Sequence, residues 1–167
     1  MKKLSICVCV LLLACAGSAA PAAAQNTDEK QIKAMMVTFS AAFRAKDVDT
    51  IMSMYWHSEH LTAFDVTPPL RYVGWDAYKK DYEQFFASFN GPIDDRILYL
   101  KIDVDGSMAY SENTEKISGT LMTGHRAAMI LRSTDVYRKI GGKWLIVHEH
   151  NSVPVDFTTD KAVFEAK

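Results

Sequence analysis

The chain has 167 residues, 49% of them hydrophobic, with 19 basic and 20 acidic side chains and a net charge of −1. That balance, without any run of like charge, argues against a nucleic-acid partner. All three cysteines (Cys7, Cys9 and Cys15) sit in the first 15 residues, which leaves the rest of the chain without disulfides, thiolate nucleophiles or cysteine metal ligands.

Lys2-Lys3, an apolar run over 4–14 and small residues ending in Ala22-Ala23-Ala24-Gln25 form the pattern of an export signal, with cleavage expected after Ala24. The apolar run is too short to span a bilayer, so no transmembrane helix is expected. Leu12-Leu13-Ala14-Cys15 also reads as a lipobox, so the alternative to a periplasmic or secreted product is a lipid anchor at Cys15. Lys2 and Lys3 are the only charged residues before Gln25, and the remaining 143 residues carry 17 basic and 20 acidic side chains. That length fits one domain over 25–167, and no internal repeat divides it.

Asn26-Thr27 precedes Asp28 and Glu29 as an N-cap with acids in the first turn. Ile32, Met35, Met36, Phe39 and Phe43 then recur at helical spacing, predicting a helix over 28–46. Asp47 can cap a second, short helix over 48–55 whose apolar side is Ile51, Met52 and Tyr55. A strand over 61–65 ends at Pro68-Pro69, since proline donates nothing to a ladder. After Gly74 an amphipathic helix carries Trp75, Tyr78, Tyr82, Phe85, Phe86 and Phe89 on one stripe. From Ile97 the period changes to two, with Leu98, Leu100, Ile102 and Val104 alternating with polar residues, and Asp105-Gly106 turns the chain. A strand over 107–118 and a connection over 121–125 lead to the last hairpin.

That hairpin turns at Gly141-Gly142. If the two glycines form the loop, Lys139 faces Trp144, Tyr137 faces Ile146, Asp135 faces His148 and Ser133 faces His150. Alternation then puts Trp144, Ile146, His148, His150 and Ser152 on one face, with Leu145, Val147, Glu149 and Asn151 on the other. A bulge at the glycines would change that pairing. The order helix, helix, strand, helix and then antiparallel strands suits an α+β domain, with three N-terminal helices on one face of a curved sheet.

The segment TDVYRKIGGKWLIVHEHNSVP (134–154) resembles the closing hairpin of SnoaL-like domains, in the nuclear-transport-factor-2-like and ketosteroid-isomerase-like superfamily. FDVTPPLRYVGWDAYKKDYEQFF (64–86) is similar to the first strand and third helix of the same domains, and the likeness spans about 27–156. It implies a cone-shaped antiparallel sheet roofed by three helices, and sheets that commonly pair back to back as homodimers. Such folds host isomerases, dehydratases, hydrolases and plain binding modules, so function has to be argued from the site.

Asp65 lies where ketosteroid isomerases hold the carboxylate that removes a proton next to a carbonyl, and desolvation in an apolar cone would raise its pKa toward the working pH. An Asp there can equally pin the Pro-rich loop through backbone N–H groups. An Asp135–His148 pair would orient an imidazole for proton transfer, with Ser133 and His150 one step further along. Histidines at the end of a sheet also commonly satisfy backbone groups or stack on rings. His148 and His150 with His57 and His60 form no catalytic zinc pattern, and neither a metal nor any other cofactor is expected. The family's oxyanion hole needs a tyrosine on the first helix, where this chain has Phe39 and Phe43, and a protonated Asp on a late strand, where it has Leu131. Steroid isomerisation is therefore disfavoured.

The expected pocket has walls of Tyr55, Trp75, Tyr82, Phe86 and Trp144, with Asp65, Asp135, Ser133, His148 and His150 as its polar groups. Its expected occupant is a small, partly apolar molecule bound without reaction. An isomerase, dehydratase or hydrolase using Asp65 or the Asp135–His148 pair is the alternative, and a dimeric interaction module without ligand is a third.

Overall fold

A computed structural model describes residues 22–165. The apolar run of the expected export signal and Cys15 lie outside the described residues. Helix α1 (Ala22–Ala45) buries Ile32, Met36, Phe39 and Phe43, one side of a 3.6-residue period. Asp47 then caps α2 (Val48–Met52), accepting from Thr50 N at 3.0 Å and Thr50 Oγ1 at 2.6 Å. The strand expected over 61–65 is a short hairpin of β1 (Thr62–Phe64) and β2 (Tyr72–Val73). Gly74, at φ 91, makes the sharp entry to α3 (Trp75–Ala87), where Tyr78, Tyr82 and Phe86 are buried one turn apart.

Four longer strands follow: β3 (Phe89–Asp105), β4 (Met108–Leu121), β5 (Arg126–Ile140) and β6 (Lys143–Ser152). They form a six-stranded sheet in the order β2-β1-β6-β5-β4-β3, in which β1 runs parallel to β6 and the other neighbours are antiparallel. A small pair, β7 (Val155–Asp156) and β8 (Lys161–Ala162), follows, and Ile130 N donates to Phe164 O at 2.7 Å. The α+β architecture with three helices against a curved sheet is the one expected. The strand predicted from Ile97 begins eight residues earlier, however, because an irregular register between Phe89 and Ile93 hides its start. A second register shift leaves Leu98 without a partner and half exposed, while Leu100, Ile102 and Val104 turn inward.

At Gly119 the sheet comes close to an aromatic ring. A Cβ there would lie 2.7 Å from Phe89 Cδ1, so only glycine lets that ring lie on the strand. The core runs from α1 through the α3 rings to Ile117, Leu131, Tyr137 and Ile146 on the inner sheet face.

Candidate functional site

The pairing of β5 with β6 decides which side chains reach the interior. Lys139 faces Trp144 and Tyr137 faces Ile146, as the two-glycine turn requires. Beyond them Val136 faces His148, so Val147 is an extra residue and the strand steps by one position. On its other side β6 changes partner at the same point. Ile146 bonds to Met54 O and Trp56 N at 2.9 and 2.8 Å, whereas His148 is already in register with Thr62 of β1.

The bulge overturns the expected faces. Asp135 lies opposite Glu149, Ser133 opposite Asn151 and Thr134 opposite His150. Glu149 is 4% exposed on the inner face together with Asn151, and the two histidines lie on the outer face. His148 Nδ1 is 2.8 Å from Thr62 Oγ1 and 3.0 Å from Thr62 O, and the Phe64 ring meets both imidazoles edge-on. No Asp135–His148 pair forms. Burial holds His148 below its ordinary range, favouring the neutral ring.

Two polar rows therefore cross the inner face in register. One is Ser111, Asp135 and Glu149; the next is Asn113, Ser133 and Asn151. All of these but Ser111 line one side of a cavity of about 370 Å³, within the roughly 300–1,000 Å³ usual for ligand pockets. Phe39, Phe43, Tyr82, Phe85, Met129 and Leu131 supply its apolar walls, and Val66, Thr67 and Pro68 stand beside Asp65.

Of the residues expected at the site, Asp65, Tyr82, Ser133 and Asp135 line this cavity. Tyr55 stands behind it, donating to Glu149 Oε2 and lying 2.9 Å from the Tyr82 hydroxyl. Phe86 packs in the core on Phe43, leaving the wall to Phe85. Trp75 stacks on His57 at 4.2 Å and donates to Met52 O at 2.9 Å, closing the end of α2. Trp144 donates to Asp28 Oδ1 at 3.1 Å, beside the Lys139–Asp28 ion pair at 2.6 Å, and so ties α1 to the hairpin away from the cavity.

Glu149 holds the polar side together. It accepts from Tyr55, from Tyr78 at 2.5 Å and from Asn151 Nδ2 at 2.6 Å, and Tyr78 also reaches Asp65 Oδ2 at 3.5 Å. Burial pushes Glu149 up to about 8, with the Asp135 charge adding and the tyrosine hydroxyls opposing. Asp135 rises to about 6 through burial, restrained by Ser111 and Tyr137, which donate to its Oδ2 at 3.0 and 3.1 Å. Glu115 is held well above the usual carboxylate range by burial and by Asp95, Asp135 and Glu149. Burial also raises Asp65 and Asp81. Burial thus favours the protonated form more strongly at Glu149 than at Asp135, and the two carboxyl groups titrate as a pair.

Sequence reasoning missed Glu149, Glu115, Asn113 and Asn151. One signal was available: buried tyrosine hydroxyls need partners, and Tyr55, Tyr78 and Tyr82 at core spacing implied a buried acceptor nearby. Among the described residues no cluster of three His, Cys, Asp or Glu could hold a metal ion, and no helix is long and apolar enough to cross a membrane.

The family model of the SnoaL-like domain matches residues 32–156. No match was found among curated proteins. Among solved structures, the chain is similar to a nuclear-transport-factor-2-like protein of unknown function from Pseudomonas putida, at 27% identity and a TM-score of 0.77, over 85% of this chain and 97% of that one. A putative dehydratase of the same family from Streptomyces avermitilis matches at 18% identity and a TM-score of 0.67, over 77% and 97% of the two chains. A ketosteroid isomerase-like protein from Erwinia carotovora matches at 18% and 0.65, over 76% and 96%. At 18% identity the likeness shows the fold alone.

Proposed function

Because the chain belongs to the SnoaL-like domain family, within the nuclear-transport-factor-2-like superfamily, we propose that it binds a small, partly apolar molecule in the cavity under α1 and α3. In this reading it acts in the cell envelope after export, as a homodimer paired through the outer sheet face, where Arg132, Thr134, Arg138 and His150 are exposed. The observation that carries the binding role is the cavity's division into an aromatic wall and a polar floor of two registered rows.

A metabolite panel tests it by thermal shift. A ligand at about a hundred times its Kd should stabilise by about 2.7 kcal/mol, raising Tm by roughly 5–10 °C. Ser133→Leu, which fills the floor without removing a bonded group, should abolish that rise while near-ultraviolet circular dichroism stays unchanged. A panel with no shift that Ser133→Leu removes would refute ligand binding. Sedimentation as a monomer at micromolar concentration would refute the homodimer.

Proton-transfer catalysis is the second reading, favoured by the adjacent Asp135 and Glu149 with pKa values near 6 and 8. It predicts a pH–rate profile with two limbs, and loss of turnover in Asp135→Asn at saturating substrate. Turnover that survives Asp135→Asn would remove it.

A further inference from the structure

We propose that the cavity takes an organic cation, a protonated primary amine seated on the polar floor and joined to an apolar body that lies along the aromatic wall. This ligand class rests on the small-molecule reading above and narrows it. Five carboxyl side chains, Asp65, Asp81, Glu115, Asp135 and Glu149, line the cavity, and among the described residues no Lys, Arg or His does. An anionic ligand would meet that set without a countercharge.

The second observation is independent of charge. Asn113 is 3% exposed, and its amide nitrogen donates to Asp135 Oδ2 at 3.4 Å. That fixes the amide's orientation and leaves Oδ1 buried without a hydrogen-bond partner. Asn151 repeats the arrangement, its nitrogen on Glu149 Oε1 at 2.6 Å and its Oδ1 unpartnered. A native structure satisfies most buried polar atoms, so two such oxygens in one cavity call for donors from a ligand. Asn113 and Asn151 flank Ser133 in one row across three adjacent strands, so the two acceptors belong to the same row of the floor. An alkylammonium brings three N–H donors and no acceptor, matching a floor that offers amide oxygens and carboxyl groups. A quaternary ammonium would bring the charge without the donors. Phe39, Phe43, Tyr82 and Phe85 cover the body of the ligand, and ring faces also attract a cation.

Tryptamine, tryptophol and indole-3-propionate share one body and differ in the end group, and calorimetry at neutral pH separates them. Tryptamine is expected to bind at least about tenfold more tightly than tryptophol, with indole-3-propionate not binding. Asn113→Leu should weaken tryptamine by about tenfold and tryptophol by less than about threefold. Asp135→Asn, which removes charge at constant shape, should weaken tryptamine alone. If tryptophol or indole-3-propionate binds as tightly as tryptamine, the cation class is wrong and the cavity remains a ligand site. Absence of tryptamine binding at about 5 mM also overturns the cation class. Small-molecule binding itself fails only if the wider panel gives no shift that Ser133→Leu removes.

Discussion

Moving the protein from pH 5 to pH 9 is expected to lower its melting temperature by about 10 °C, and Glu149→Gln to remove most of that fall. Glu149 titrates near 8 in the folded protein and near 4.5 when the chain is unfolded. Between those values the folded state keeps a proton that the unfolded state has released. Its contribution is complete below pH 4.5 and is lost as pH rises through 8. The size is on the order of 3–5 kcal/mol for a shift of this kind. Asp135, raised to about 6, adds the same sign between about pH 4 and 6, and Asp65 and Glu115 are shifted in the same direction. His148, held down by burial, opposes them below about 6.5. Asp28, lowered by Lys139 and Trp144, acts below its ordinary value of 3.8 and so outside this range. Glutamine keeps the shape of Glu149 and cannot ionise, so the variant should melt higher than the parent at pH 9. Melting followed by circular dichroism decides it: a Tm that is flat or rising between pH 5 and 9 would show that these carboxyl groups do not stay protonated in the fold.

Deleting Val147 should leave the faces of β6 as they are. Without the extra residue, Tyr137–Ile146, Val136–His148 and Asp135–Glu149 become consecutive pairs of a regular ladder, so His148 and His150 stay outward and Glu149 and Asn151 inward. Tyr55, Tyr78 and the Asn151 amide keep their acceptor, and what is lost is the step by which β6 passes from Met54 and Trp56 to Thr62. The expected loss is confined to the backbone bonds at that change of partner, on the order of 1–3 kcal/mol. Val147→Ala, which keeps the bulge and trims a half-buried side chain, should cost no more than about 1.5 kcal/mol. Urea denaturation compares the two. A deletion variant that fails to fold would mean that the extra residue itself, and not the ladder on either side of it, sets which side chains face the interior.

The same residue divides what was legible in the sequence from what was not. The helices announced themselves through spacing, as with Ile32, Met36, Phe39 and Phe43, and the last hairpin through Gly141-Gly142, which placed Trp144 and Ile146 correctly. The bulge left no mark, because Val147 is an ordinary strand residue and its neighbours alternate without a glycine. What selects it is tertiary: β6 passes from the segment after α2 to β1 at that point. On β4 the inward positions Ser111, Asn113 and Glu115 are as polar as the outward ones, so no hydrophobic pattern assigned its faces. Asp65, Ser133 and Asp135 were found because turn and strand ends locate them directly. Glu149 was assigned to solvent by an alternation that holds for only half of its strand.

The parallel pairing of β1 with β6 sets an order of assembly. Thr62 meets His148 86 residues further on, and Glu149 draws its hydroxyl donors from 94 and 71 residues earlier. Strands β3 to β5 join neighbour to neighbour and need none of this, so they are expected to form as an early meander with one slot open. As the chain emerges from N- to C-terminus, Tyr55 and Tyr78 must wait with unsatisfied hydroxyls until β6 takes its place between β5 and β1. In pulse-labelled hydrogen exchange, amide protection over 62–64 should rise together with that over 148–150, and after that of β3 and β4.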